Sequence, residues 1–316
     1  MIEHLKLSAK TATKFLASHL TAALSAATLL AAALFPHLAA AELKTIHSEK
    51  SLYRNIFVTE DGDLRCMTFR RANAGTRQTC FRPSEPTFLH FPYARMMMGS
   101  LYLNPNPERI LIIGLGGGTL PNAMRGVLPN ATIDVVEIDA AVVRAARAYF
   151  GFTEDAKLKV HEQDGRVFVK RAIGGAARYD LIMLDAFEDD YIPEHLLTRE
   201  FLQEVKSILT PRGVVAGNSF SSSGLYPSES ATYADTFGTF YNLKDANRVI
   251  WAQNGELQPK STLEANAKVL ADVLEKRGVQ PGNLFAMMST TPDWQPNTRI
   301  LTDQFSPSNL LNSRGK

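Results

Sequence analysis

Cysteine is almost missing from this chain: Cys66 and Cys80 are the two it has in 316 residues. A densely disulfide-stapled scaffold is thereby excluded, and no Cys/His cluster has the spacing of a structural zinc site. Histidine is scarce too; past residue 41 there are His47, His90, His161 and His195, and no metal is expected. Neither sign of charge is in excess, with 34 Lys and Arg against 32 Asp and Glu, so nucleic acid is not expected as a partner. No internal repeat or low-complexity tract follows the first forty residues, which excludes a repeat array. Tryptophan occurs twice, as Trp251 and Trp294, and both read as packing residues.

The first forty residues differ from the rest. Lys6, Lys10 and Lys14 precede an Ala/Leu-rich stretch from Phe15 to Phe35, and "HLAAAEL" supplies small residues for signal-peptidase cleavage after Ala41. Residues 1–41 read as a signal peptide, and the chain as exported, periplasmic or extracellular. An uncleaved inner-membrane anchor through residues 15–35 is the alternative, although Ser18, His19, Thr21, Ser25 and Thr28 dilute the apolar run. Cleavage would leave 31 basic and 31 acidic residues. Cys66 in "LRCMTF" and Cys80 in "RQTCF" sit on what look like hairpin arms. Export makes a Cys66–Cys80 disulfide the expectation, with two buried thiols as the alternative.

Residues 42–100 carry short alternating runs, "YRNIFVTE", "LRCMTFR" and "RQTCF", then the helix-like "FLHFPYARMMMGSLYL" with Met96, Met97 and Met98 as packing residues. This predicts a small antiparallel β appendage and a linking helix. From residue 101 to 316, continuous apolar strands alternate with helices: "RILIIGLG", "TLPNAMRGVL", "TIDVVEID", "AAVVRAARAYF", "LKVHEQD", "RVFVKRAI", "YDLIMLDAF", "LTREFLQEVKSIL" and "GVVAGNSF". A helix over "YADTFGTFYNL", a strand over "NRVIWAQ" and a helix over "TLEANAKVLADVLEKRG" follow. The fold class is α/β: a doubly wound, Rossmann-like seven-stranded sheet, parallel and covered on both faces.

Such a sheet binds its ligand beyond the carboxyl ends of the strands, where the first strand-to-helix turn must come close. Gly114, Gly116, Gly117 and Gly118 in "GLGGG" remove side chains from that turn. Glu137, ending "DVVE", stands where an acid accepts bonds from ribose hydroxyls, and Asp164 of "DG", followed by Gly165, where one accepts from an adenine amino group. The ligand class is therefore a nucleoside. The turn continues "TLPNAM" where a dinucleotide fingerprint would seat a pyrophosphate, and the order of motifs resembles class I S-adenosylmethionine-binding folds.

From about Ser51 to Leu311 the chain resembles the spermidine synthase family, the polyamine aminopropyltransferases. Gln78, Tyr93, "GLGGG", "VEID" (Val136–Asp139), "DG", "YDLIMLDAF" with Asp185, and "LTDQFSP" carry the likeness. The resemblance implies decarboxylated S-adenosylmethionine as co-substrate, held by Gln78, the glycines, Glu137 and Asp164, and Asp185 as the group that positions and deprotonates an amine beside Tyr93. It implies a homodimer too. Two departures stand out: the family's "GGGDGG" has an aspartate where Thr119 stands, and its "DSSDP" loop is "DAFEDDYIP", whose Glu188, Asp189 and Asp190 are candidates for a second amine nitrogen. "GLGGGxLP" turns also occur in relatives resembling protein methyltransferases.

The expected function is aminopropyl transfer to a diamine such as putrescine. Methyl transfer from S-adenosylmethionine and noncatalytic binding of polyamine or nucleoside are the alternatives. His195, beside a helix start in "IPEHLLTREF", reads as a capping or packing residue.

Overall fold

The computed structural model describes residues 43–70, 77–187 and 191–307. The leader (1–41) and Glu188, Asp189 and Asp190 lie outside the described residues. From Leu43 onward the chain clusters into one unit. No helix among the described residues is long and apolar enough to cross a membrane.

The smaller sheet is fully antiparallel, in the order β1 (Lys44–Lys50), β2 (Asn55–Asp61), β3 (Leu64–Thr68), β4 (Arg77–Phe81). Alternation on β2 turns Ile56 and Val58 inward, where with Met67 they pack on Ala141, Val142, Ala145 and Phe150. That contact seats the sheet on the helix following the "VEID" strand, beside the strand ends of the larger sheet. Cys66 and Cys80 are direct cross-strand partners, and a disulfide joins them. Helix α1 (Pro92–Gly99), opened by a proline in its first turn, links the two sheets. Met96, Met97 and Met98 are completely buried, and the Trp251 indole N–H donates to the Met96 carbonyl.

The larger sheet is built from β5 (Arg109–Ile113), α2 (Thr119–Val127), β6 (Thr132–Glu137), α3 (Ala140–Tyr149), β7 (Leu158–Glu162), α4 (Gly165–Ile173), β8 (Tyr179–Leu184), α5 (Arg199–Ser207), β9 (Leu209–Phe220), α6 (Tyr226–Phe237), β10 (Tyr241–Lys244), β11 (Asn247–Gln253), α7 (Lys260–Leu274), α8 (Pro281–Met287) and β12 (Met288–Ser289). Strand order is β12-β10-β11-β9-β8-β5-β6-β7. Strands β9, β8, β5, β6 and β7 run parallel, and β10, β11 and β12 extend the sheet antiparallel. Apolar clusters cover both faces, as continuous strands such as "ILII" require.

The sheet has eight strands among the described residues, against seven expected; six of them were placed in the sequence, and β10 and the two-residue β12 were not. The expected helix over "YADTFGTFYNL" is corrected. Helix α6 starts earlier, at Tyr226, and Gly238 at φ 77° ends it, so that "YNL" becomes part of β10. Strand β5 lies between β6 and β8, so its C-terminal end is the point where the winding of the sheet reverses.

Candidate active site

A cleft of about 200 Å³ opens at that reversal point. Its floor is the ends of β5, β6 and β8; its wall is the small sheet, through Arg54, Phe69, Gln78 and Thr79. Gly114 follows β5 with φ 104°, and a β-carbon there would sit 2.2 Å from the Asp185 carbonyl oxygen. Glycine is thus required for β5 and β8 to end side by side. Gly116 and Gly165 line the cleft. Gly117 and Gly118, expected to face a ligand, are not among its lining residues: β-carbons there would strike Thr79 and Phe152, so close packing beneath the turn demands them.

Glu137 ends β6 and holds the glycine turn. Its Oε2 accepts from the Leu115 N–H at 3.1 Å, and its Oε1 from the Asp139 N–H at 3.0 Å. Desolvation pushes its carboxyl up, opposed by those two N–H groups and by the Arg54 guanidinium. Asp164 caps α4: Oδ1 accepts from the Val167 N–H at 2.9 Å, while Oδ2 lies 2.8 Å from His195 Nε2. The bond from His195 is the main reason that its carboxyl is held below the usual range.

Asp185 follows β8 directly, its N–H donating to the Ile113 carbonyl. Its Oδ1 accepts from Asn218 Nδ2 at 2.8 Å, and the Tyr93 hydroxyl donates to it. Desolvation pushes Asp185 up to about 7; Asn218 and Tyr93 hold it down, and the charge of Glu137 raises it further. Desolvation and the adjacent Asp185 keep Tyr93 protonated well above its ordinary range. A second opening, lined by Phe91, Tyr93, Phe187, Asn218, Phe220 and Asn247, meets the cleft at Gln78, Tyr93 and Phe187.

The structure therefore brings together Gln78, Tyr93, Gly114, Gly116, Glu137, Asp164, Gly165 and Asp185 around one cleft, with Thr119 at its edge. Among the described residues, no group of three His, Cys, Asp or Glu is arranged to hold a metal. Three residues of the cleft and the opening beside it escaped the sequence. Arg54 lies in the connection between β1 and β2, without a motif; its Nη1 donates to the Phe187 carbonyl and its guanidinium covers Phe69. Asn218 had one signal, a polar residue inside the apolar strand "GVVAGNSF". His195 is corrected: it neither caps a helix nor packs in the core, but stands half-exposed in a 3₁₀ turn (Glu194–Leu196) with its ring on Asp164. The sequence could not show this, because the two residues meet only when β7 and β8 end on the same side of the sheet.

The model of the "Spermine/spermidine synthase domain" family matches residues 90–238. The polyamine aminopropyltransferase of Vibrio vulnificus is 45% identical over 271 residues, covering 84% of this chain and 91% of that protein. The human eEF1A lysine and N-terminal methyltransferase is 34% identical over 63% of this chain, which spans 31% of that protein's length. Among solved structures, a probable spermidine synthase from Corynebacterium glutamicum superposes with TM-score 0.65 at 19% identity, over 83% of this chain and 97% of that one. Human methyltransferase-like protein 13 in complex with SAH gives 0.55 at 29%, over 68% of this chain and all of that one. The sheet order, the acids at the strand ends and a relative this similar across nearly its whole length agree: the chain belongs to the spermine/spermidine synthase family, the polyamine aminopropyltransferases.

Proposed function

We propose that this enzyme transfers the aminopropyl group of decarboxylated S-adenosylmethionine to a diamine such as putrescine. The observation that carries the reading is Asp185: a cleft carboxyl pushed up to about 7, bonded by Asn218, which lines the second opening, and by Tyr93, which lines both. The relative at 45% identity weighs against methyl transfer and noncatalytic binding.

The cleft residues fit an adenosyl compound. Each Glu137 oxygen uses one lone pair on a backbone N–H and keeps another for a ribose hydroxyl, and Asp164 likewise keeps acceptor capacity for an adenine amino group. Gly114, Gly116 and Gly165 leave room beside them, and Gln78 and Thr119 flank the place of the side chain. Bound there, the sulfonium supplies an activated methylene and a thioether leaving group that needs no proton.

The chain's own work is on the amine. An alkylammonium with a pKa near 10 is charged and not nucleophilic at neutral pH. Asp185 binds the ammonium as a carboxylate and takes its proton as the nitrogen forms its new bond to carbon and the sulfur leaves with the electron pair. Tyr93, a neutral phenol, and Asn218 keep the carboxylate aimed. The acceptor enters by the second opening, whose rings of Phe91, Phe187 and Phe220 line a methylene chain. Glu188, Asp189 and Asp190, next along the chain from Phe187, are assigned to its distal nitrogen. Alignment of the two reactants supplies much of the acceleration.

The lysine-flanked leader and the Cys66–Cys80 disulfide support export to the periplasm or beyond. Membrane contact through residues 15–35 applies only to an uncleaved leader, and a homodimer is carried over from the family likeness. The test of the function is to supply putrescine and decarboxylated S-adenosylmethionine and look for spermidine; the expected product requires Asp185.

A further inference from the structure

Among the described residues His195 is the one imidazole that lines the cleft, and its place is built rather than incidental. Its carbonyl accepts from Arg166 Nη1 at 3.3 Å. The Arg166 guanidinium, nearly buried, is bidentate with Glu204 at 2.8 and 2.9 Å and with Asp303 at 2.7 and 2.8 Å. Ser306 Oγ donates to the neighbouring Glu194 carbonyl at 2.9 Å. The turn bearing His195 is therefore clamped to α4, α5 and the segment 301–307, and its ring meets Asp164 Oδ2 at 2.8 Å. With Oδ1 fixed by the Val167 N–H, both oxygens of the carboxylate are pinned.

We infer that His195 is a specificity-determining residue for the purine: by pinning Asp164 as an oriented carboxylate beside the cleft, it makes the site select a 6-amino over a 6-oxo base. The inference rests on the nucleoside reading of the cleft. A fixed carboxylate can only accept, so it welcomes an exocyclic N–H and repels a carbonyl oxygen. Selection of this kind is strong only while the acceptor cannot turn away. Without His195, Oδ2 swings about the remaining Oδ1 bond and takes the N1–H of a 6-oxopurine instead.

The experiment is calorimetric titration of the full mature chain with methylthioadenosine and methylthioinosine, for wild type, His195→Ala and His195→Gln, with melting temperatures recorded alongside. Wild type should prefer the adenosine compound by about tenfold or more, His195→Ala should lose most of that preference, chiefly by binding the inosine compound better, and His195→Gln, which retains an N–H donor, should recover part of it. A His195→Ala protein with wild-type preference overturns the role of His195 while leaving the nucleoside site standing. Equal loss of both ligands, with a lowered melting temperature, also overturns it, since that is structural damage. A folded wild-type protein that binds neither compound overturns the nucleoside reading and this inference together.

Discussion

Asn218 Nδ2 donates to Asp185 Oδ1 across 2.8 Å, tying β9 to the end of β8. Strand β9 is otherwise apolar at its centre, with Val214, Val215 and Ala216 fully buried. Its one side-chain amide, lining the second opening, stabilises the ionised form of a carboxyl that desolvation raises to about 7.

Asn218→Ala removes a donor to the charged form, so the Asp185 carboxyl should rise further. A hydrogen bond to a charged group contributes about 1.5 to 3 kcal/mol, or roughly one to two pH units. In wild type, kcat/KM for the amine should climb with pH as one group ionises near 7; in Asn218→Ala the climb should move up by about one unit. A lowered rate with an unmoved profile would mean that Asn218 acts only on packing.

Asp185 should also leave a mark on stability. Its folded carboxyl is raised above the unfolded value of 3.8, so the folded state binds its proton more tightly. The stability this contributes is complete below about pH 4 and is lost as pH rises through about 7. Asp185→Asn, free of that loss, should gain on wild type between pH 5 and pH 8, by at least a few degrees in Tm. Parallel melting curves at the two pH values would contradict this.

Glu137→Gln should weaken methylthioadenosine binding at least tenfold, because charge-assisted bonds to the ribose become neutral ones. It should also destabilise the protein by about 1 to 3 kcal/mol, since an amide NH2 now faces the Leu115 or the Asp139 N–H. Calorimetry and denaturant melts check the two parts. Unchanged affinity in a destabilised protein would assign Glu137 to the turn alone.

Thr119 is the first residue of α2 and lines the cleft where the family motif has an aspartate. Thr119→Asp should tighten decarboxylated S-adenosylmethionine, whose side chain ends in a cation, by about tenfold and weaken S-adenosylmethionine, whose side chain carries a carboxylate. Titration of both compounds checks this. Opposite or equal shifts would place the cofactor side chain elsewhere.

The Cys66–Cys80 disulfide closes a separation of 14 residues, for which the chain-entropy account gives about 3 kcal/mol. Cys66→Ser with Cys80→Ser should lose about 2 to 3 kcal/mol. Because Gln78 and Thr79 adjoin Cys80 and line the cleft, nucleoside affinity should fall too. Full stability without the bond would contradict this.

The centre of the sheet was legible because β5, β6 and β8 carry the buried apolar stretches "ILII", "VV" and "LIML", and because the glycines and acids sit at their ends. Strand β1, "KTIHSEK", was not: it is an edge strand, largely solvent-facing, and its pairing with β2 is set by backbone bonds that leave no side-chain pattern. Strand β12 is too short to leave one. At the site, Glu137, Asp164 and Asp185 were readable from motif position, whereas Arg54, Asn218 and His195 depend on which loops meet across the cleft. The roles of Gly117 and Gly118 required the aromatic rings of Phe150 and Phe152 beneath them.

The central claim is tested most directly by incubating the purified wild-type protein and Asp185→Asn with putrescine and decarboxylated S-adenosylmethionine and quantifying products by mass spectrometry. The account predicts equal amounts of spermidine and methylthioadenosine from wild type, and neither from Asp185→Asn although that variant still binds methylthioadenosine. Wild-type protein that binds both ligands and yields no spermidine, or that instead converts S-adenosylmethionine to S-adenosylhomocysteine, would contradict it.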